Sequence, residues 1–210
     1  MKVLAINGSP HKQGNTYLGI RAAADALEEA GISCEILHVG GKAIRGCIAC
    51  GQCRKLRNER CAIDDEMNGW VQQMKAADGI ILASPVYYAG IAGTMKAFCD
   101  RAFYVATANG NLFRHKPGAA LVVMRRSGGV ATFDQLNHYF TISEMPVASS
   151  CYWNTLYGLD QGEAQNDAEG LNTHRTVGVN MAWLLKLMEH GRGAVPEPEP
   201  PAKVRTNFIR

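Results

Sequence analysis

The sequence predicts an α/β protein, a doubly wound, five-stranded parallel sheet with helices on both faces. Three observations predict it. Short apolar runs of strand length alternate with longer segments whose apolar residues recur at helical spacing. The strand runs are apolar nearly throughout, as parallel strands covered on both faces require. The first run enters a turn rich in glycine and small hydroxyl residues that opens directly into a helix, reading A-I-N-G-S-P-H-K-Q-G-N-T over residues 5–16. Free N–H groups and the positive end of the helix dipole face such a turn, so it is predicted to seat an anion.

The elements follow in order. Residues 3–6 form a central strand, and residues 16–30 form a helix with Leu18, Ala22, Ala26 and Leu27 on one face and Gly31 as its C-terminal cap. Residues 32–39 return as the second strand through a right-handed crossover. The stretch 40–63 is irregular, and a loop of that length in a compact domain is usually functional. Asp64 and Asp65 precede a second helix carrying Met67, Trp70, Val71 and Met74. A third strand, 78–83, runs into the loop 84–90, S-P-V-Y-Y-A-G, and a third helix spans 92–106. The fourth strand is 119–124, followed by the loop 125–129, a helix over 132–143, a weak fifth strand over 145–149 and a last helix over 170–190. Four of the eight prolines then fall between Pro196 and Pro201. The organisation expected is therefore one domain over 1–190 and a proline-rich extended arm over 191–210.

Composition excludes several classes. Lys and Arg total 22 against 19 Asp and Glu, so no global charge points to nucleic acid. The apolar run after Lys2 is too short for a secretory signal, and no later run approaches a membrane span. A cytoplasmic protein with no membrane partner is expected. In that compartment cysteines serve metal or redox chemistry more than disulfides. Four of the seven crowd together as Cys47, Cys50, Cys53 and Cys61, while Cys34, Cys99 and Cys151 are expected at apolar positions.

Ligands of a doubly wound sheet bind beyond the carboxyl ends of its strands. Three loops qualify. The first lacks both the Gly-x-Gly-x-x-Gly spacing of a dinucleotide fold and the Gly-Lys-Ser/Thr ending of a triphosphate loop. It supplies the hydroxyls of Ser9 and Thr16, the amide of Asn15 and backbone N–H groups, a set suited to a phosphate monoester. The second offers Pro85, Tyr87 and Tyr88, which can lie against a planar ring. The third offers Ser127, Gly128 and Gly129, whose backbone can approach a ring edge. A phosphate at one end and a flat apolar group at the other describe flavin mononucleotide, FMN.

The segments G-S-P-H-K-Q-G-N-T and S-P-V-Y-Y-A-G-I-A-G-T-M-K-A-F-C-D-R resemble the two signature segments of the NADPH-dependent FMN reductases of the flavodoxin-like superfamily. The spacing Cys47-x2-Cys50-x2-Cys53-x7-Cys61 resembles the compact motif of its iron-sulfur flavoprotein branch. The resemblance covers roughly the first 130 residues and, more loosely, Tyr152-Trp153-Asn154 and the final helix. It implies a flavodoxin-like strand order 2-1-3-4-5, FMN contacts from Ser9, His11, Asn15, Thr16, Pro85, Val86, Tyr87 and Tyr88, and a homodimer or homotetramer. At His11 many relatives carry arginine. A histidine holds phosphate less firmly, so an affinity more dependent on pH is expected.

The cysteine quartet has four readings: a 4Fe-4S cluster, structural zinc, a thiol redox pair, or an empty inherited site. Its loop carries Lys42, Arg45, Arg54, Lys55, Arg57 and Arg60 against Glu59 alone. Such surroundings stabilise thiolates and offset an anionic cluster. They also suit an acidic redox partner or the extra phosphate of NADPH. Lys96 and Arg101 are read as surface or subunit contacts, Asp167 and Glu169 as helix-start residues, and Trp153 as a flavin cap or a buried aromatic. The function expected is an FMN-dependent oxidoreductase that takes a hydride from NAD(P)H and passes electrons to a small-molecule or protein acceptor. The alternative is an electron carrier working between FMN, a 4Fe-4S cluster and a redox partner. No side chain is assigned as catalytic, because the flavin carries the redox chemistry.

Overall fold

The computed structural model describes residues 1–200 together with 202, 204, 206 and 208. Strand β1 (Lys2–Asn7) passes through the glycine turn into α1 (Asn15–Glu29), and β2 (Ser33–His38) returns parallel beside it. Gly31 closes α1 at φ +80°, with Ile32 N–H donating to the Leu27 carbonyl at 2.9 Å. This is the glycine cap that the sequence predicts. After the cysteine loop and its five-residue helix α2 (Gln52–Leu56), α3 (Met67–Ala76) leads to β3 (Gly79–Tyr87). Then come β4 (Gly90–Ile91), α4 (Gly93–Ala108), β5 (Gly118–Met124), α5 (Gly129–Ile142), β6 (Thr155–Tyr157) and α6 (Ala168–Gly191).

The parallel sheet runs β2-β1-β3-β5-β6, with β4 folded back antiparallel on the end of β3. Pairing in register, with Ala5 opposite both Ile36 and Ile81, sends alternate residues to opposite faces. Val3, Ala5, Ile81, Ala83, Ala119 and Leu121 pack beneath α1 and α6; Leu4, Ile6, Ile80, Leu82, Ala120 and Val122 pack beneath α3, α4 and α5. Both faces are therefore covered, which is why these strands read as unbroken apolar runs. Helices α1 and α6 touch backbone to backbone: a Cβ on Gly178 would stand 2.1 Å from the Ala23 carbonyl oxygen.

Two strand expectations are corrected. Residues 145–149 do not form a strand. Val147 makes one isolated bridge to Gly118, and the fifth position of the sheet belongs to Thr155–Tyr157 beside Val122–Met124. Pro146 has no N–H to continue a ladder. The chain leaves the edge through residues 150–153, and Asn154 resumes the pairing with its side chain, donating from Nδ2 to the Ala120 carbonyl at 2.9 Å. The third strand does not stop at residue 83 but continues to Tyr87. The expected arm lies partly outside the described residues; of those described, Pro198 accepts from Arg114 and Glu197 meets His115. Among the described residues no helix is long and apolar enough to cross a membrane.

Helix α6 also buries His174 completely beside Gly19, with neither ring nitrogen hydrogen-bonded. Burial pushes this imidazole down to about 4, against the smaller opposing pull of the Asn154 and Gly19 backbones and of Asp167. Because the folded histidine refuses a proton that the unfolded one accepts, stability falls as pH drops from about 6.5 towards 4. The loss is roughly 3 kcal/mol, complete below that range and absent above it. Thermal unfolding followed across this range should show the decline in the native protein and a flatter acid limb in His174→Leu.

Candidate functional site

Three strand ends open into one cleft of about 270 Å³. Ser9, His11, Gly14, Asn15 and Thr16 line it from the β1–α1 turn, Pro85, Val86 and Tyr87 from β3, and Val123, Met124 and Arg125 from β5. The turn is shaped by Asn7, a buried residue that the sequence reading passed over. Its Oδ1 accepts from Ser9 N–H at 3.0 Å and its Nδ2 donates to the Lys12 carbonyl at 3.2 Å. Ser9 Oγ accepts from His11 N–H at 3.2 Å, and His38 Nε2 stands 2.8 Å from the Ser9 carbonyl. Gly14 caps α1 with no side-chain bond. The N–H groups of Asn15, Thr16 and Tyr17 have no partner among the described residues.

Asn15 stands at the cleft, but its side chain is already engaged. Nδ2 donates to the Asp160 carbonyl at 2.8 Å, and Oδ1 accepts from Gly162 N–H at 2.9 Å. Its amide therefore fastens the 158–164 segment over the helix start, which leaves its backbone N–H for an anion. The tyrosine loop is a tight hairpin: Tyr87 pairs with Gly90, and Tyr88 and Ala89 form its tip at φ +48° and +57°. Two non-glycine residues in the left-handed region make a strained tip, and Tyr88 is wholly exposed there, outside the cleft lining. Ala89→Gly should raise stability by about 1 kcal/mol in denaturant unfolding, because glycine enters this region without the Cβ penalty.

The third loop is shorter than expected. Helix α5 starts at Gly129, which is buried under Met124 and Thr155, and Gly128 packs behind the hairpin against Ala89 and Val86. Neither glycine nor Ser127 lines the cleft, and Arg125 stands there instead. Arg125 and Arg126 also line an adjoining cavity of about 470 Å³. The carboxylates in that cavity are occupied by backbone: Glu163 accepts from the N–H groups of Leu159 and Asp160, and Asp167 from those of Tyr157 and Gly170. Those bonds hold the Glu163 carboxyl below its usual range. The two guanidiniums have no ion-pair partner among the described residues.

Cys47, Cys50, Cys53 and Cys61 line one small, mainly apolar recess between α2 and α4. Cys53 is buried in α2, and burial, reinforced by neighbouring Cys61 and Cys47, pushes its thiol up. The four thiols share this recess without forming a metal-ligating group among the described residues. Three side chains hold the loop in place. Asn68 brackets Cys61, accepting from its N–H at 2.7 Å and donating to its carbonyl at 3.3 Å. Asn109 accepts from Glu59 N–H at 2.9 Å and donates to the Cys53 carbonyl at 3.4 Å.

The third is Arg101, which corrects the surface reading: it is only 1% exposed. Its guanidinium grips the Asp65 carboxylate at 2.7 and 2.8 Å and holds that carboxyl below its usual range. The signal was present in the helical spacing, since Arg101 falls at i+3 from Phe98 and i−4 from Val105, both buried. Cys99 and Cys34 lie where expected, with burial pushing the Cys34 thiol up to about 12. Cys151 and Trp153, by contrast, are exposed.

Residues 1–158 match the model of the family described as NADPH-dependent FMN reductase. The chain belongs to that family. An iron-sulfur flavoprotein of Methanocaldococcus jannaschii is 36% identical over 196 residues, covering 90% of this chain and 100% of that protein. Another, of Methanosarcina thermophila, is 32% identical over 195 residues, covering 91% and 99%. Among solved structures, an NAD(P)H:quinone oxidoreductase from Methanothermobacter marburgensis superposes with TM-score 0.66 at 14% identity, covering 86% of this chain and 96% of that one.

This member of the FMN reductase family is thus a flavoprotein oxidoreductase, and its cleft fits that cofactor. Unpartnered N–H groups at the start of α1, with the buried hydroxyls of Ser9 and Thr16, suit a phosphate, and the Pro85-Val86-Tyr87 wall suits a flat ring. In donor type alone, the four thiols suit a sulfur-ligated cluster, with Cys53 buried and Cys47 and Cys50 exposed at the rim of the recess.

Proposed function

We propose that the chain binds FMN in the β1–β3–β5 cleft, accepts a hydride from NAD(P)H and passes the electrons to a small-molecule or protein acceptor. When bound, FMN supplies the redox chemistry. The observation that carries this reading is the convergence of an open helix start and an apolar wall in one cleft. Ser9, His11, Thr16 and the backbone of 15–17 hold the phosphate, while Pro85, Val86 and Tyr87 orient the ring. Tyr88, at the strained hairpin tip, lies beyond the wall as a platform for an incoming substrate. The unpaired Arg125 and Arg126 in the adjoining cavity support nicotinamide nucleotide binding, because guanidiniums free of carboxylates suit phosphates. The exposed stripe Val179, Trp183 and Leu187 on α6 supports a homo-oligomer.

A second reading, an electron carrier working between FMN and a 4Fe-4S cluster, is favoured by the common recess of the four cysteines. Cys47, Cys50, Cys53 and Cys61 would hold the cluster, which supplies one-electron transfer. Anaerobically purified protein, assayed for its visible spectrum, FMN and iron and then mixed with NADH or NADPH, separates the two. Bleaching of a yellow two-banded spectrum by a reduced nicotinamide is the result expected of a reductase. A flavin that stays oxidised in protein containing iron points to the carrier. Colourless protein that leaves the fluorescence of added FMN unquenched overturns both.

A further inference from the structure

We propose that Arg101 is the positioning residue of the cysteine recess and donates hydrogen bonds to the sulfur atoms of an iron-sulfur cluster held there, raising its potential. This rests on reading the four cysteines as cluster ligands.

Arg101 reaches both arms of the loop from one place on α4. Before the first cysteine, Nη1 donates to the Arg45 carbonyl at 3.3 Å; after the last, Nη2 donates to the Ile63 carbonyl at 3.4 Å, and both terminal nitrogens pair with Asp65. One rigid planar fork therefore closes the loop at its neck, a task suited to guanidinium rather than to a point-charged ammonium. Nη2 also donates to Cys61 Sγ at 3.3 Å, so a ligand sulfur already lies within its bonding range.

A second observation points to a ligand. Arg101 lines the cysteine recess with an entirely buried side chain, yet its Nε–H is buried without a partner. A loop pin needs no orphaned donor, and leaving one buried is destabilising. A cluster brings thiolate and sulfide acceptors into the space that Arg101 faces. Donation to such sulfurs withdraws electron density from the iron and favours the reduced state. The other basic residues of the loop, including Arg54, Lys55 and Arg57, lie at the surface and cannot substitute from a buried position.

The test uses the full chain, reconstituted anaerobically with ferrous iron and sulfide, in native form and as Arg101→Lys and Asp65→Asn/Arg101→Met. The double variant removes both charges, so no buried ion is left uncompensated. Iron and sulfide content, FMN content and the cluster midpoint potential followed by electron paramagnetic resonance are measured. Arg101→Lys should retain FMN and most of its iron with a more negative midpoint potential. The double variant should retain FMN and lose most of its iron. Native iron content and potential in both variants would overturn the proposal. Iron loss with an unchanged potential in the residual cluster leaves only a structural pin and overturns the donor role. Native protein that takes up no iron overturns the cluster reading itself, and with it this inference, whatever the variants do.

Discussion

Gly40→Ala is expected to give protein that purifies with little or no FMN. A Cβ at this position would stand 2.2 Å from the Ser9 carbonyl oxygen and 2.3 Å from that of Gly8. Those contacts are backbone, so no side chain can swing aside. Gly40 N–H and Val39 N–H both donate to the Asn7 carbonyl, which ties the end of β2 to the turn that follows β1. The added methyl must therefore push the β1–α1 turn outward, away from the Asn7 and His38 bonds that shape it. Overpacking of this kind costs about 1–3 kcal/mol, and a loss at the upper end equals roughly a hundredfold in affinity. Fluorescence titration with FMN measures it. Gly46→Ala, where a Cβ meets open space, is the control and should bind FMN as the native protein does.

Asp65→Ala should produce the largest loss of stability. It strips the carboxylate from a guanidinium that has no exposed side-chain surface, whereas Asp65 itself is about one-third exposed. The penalty arises at the buried arginine, whose charge remains without a counter-ion; breaking such pairs costs about 3–5 kcal/mol. Carbonyl acceptors at Arg45 and Ile63 stay in place and keep the expected value near the lower end, about 3 kcal/mol. For a domain of this size the melting temperature should fall by roughly 6–12 °C. Asp65→Asn, which retains an oxygen acceptor for Arg101 and for the Met67 N–H, should lose less. Equal melting temperatures for native protein and Asp65→Ala would show that the pair contributes nothing net.

Much of the site was legible because its local chemistry is local in sequence. A buried strand, a glycine-rich turn and an open helix start lie within residues 5–16, so the unpartnered N–H groups at the cleft follow from consecutive residues. Pro85, Val86 and Tyr87 were legible for the same reason. The type and position of Asn15 suggest a phosphate ligand, yet its amide is occupied by a segment about 145 residues later in the chain. Gly128 and Gly129 were assigned to a ring edge because glycine permits close approach. In the structure both are packed, Gly128 against the hairpin and Gly129 under Met124.

The cysteine loop divides the same way. The sequence by itself determined the quartet, its basic setting and the apolar strands that make the sheet parallel and doubly covered, because composition, spacing and period are properties of neighbouring residues. Only the tertiary structure decided that Asn68, Arg101 and Asn109 hold the loop, that the edge strand is Thr155–Tyr157, and that Tyr88 stands on a strained tip. Each of these depends on which distant groups remain to satisfy a buried donor, carbonyl or charge. That question is settled only when the helices dock on the sheet and exclude water.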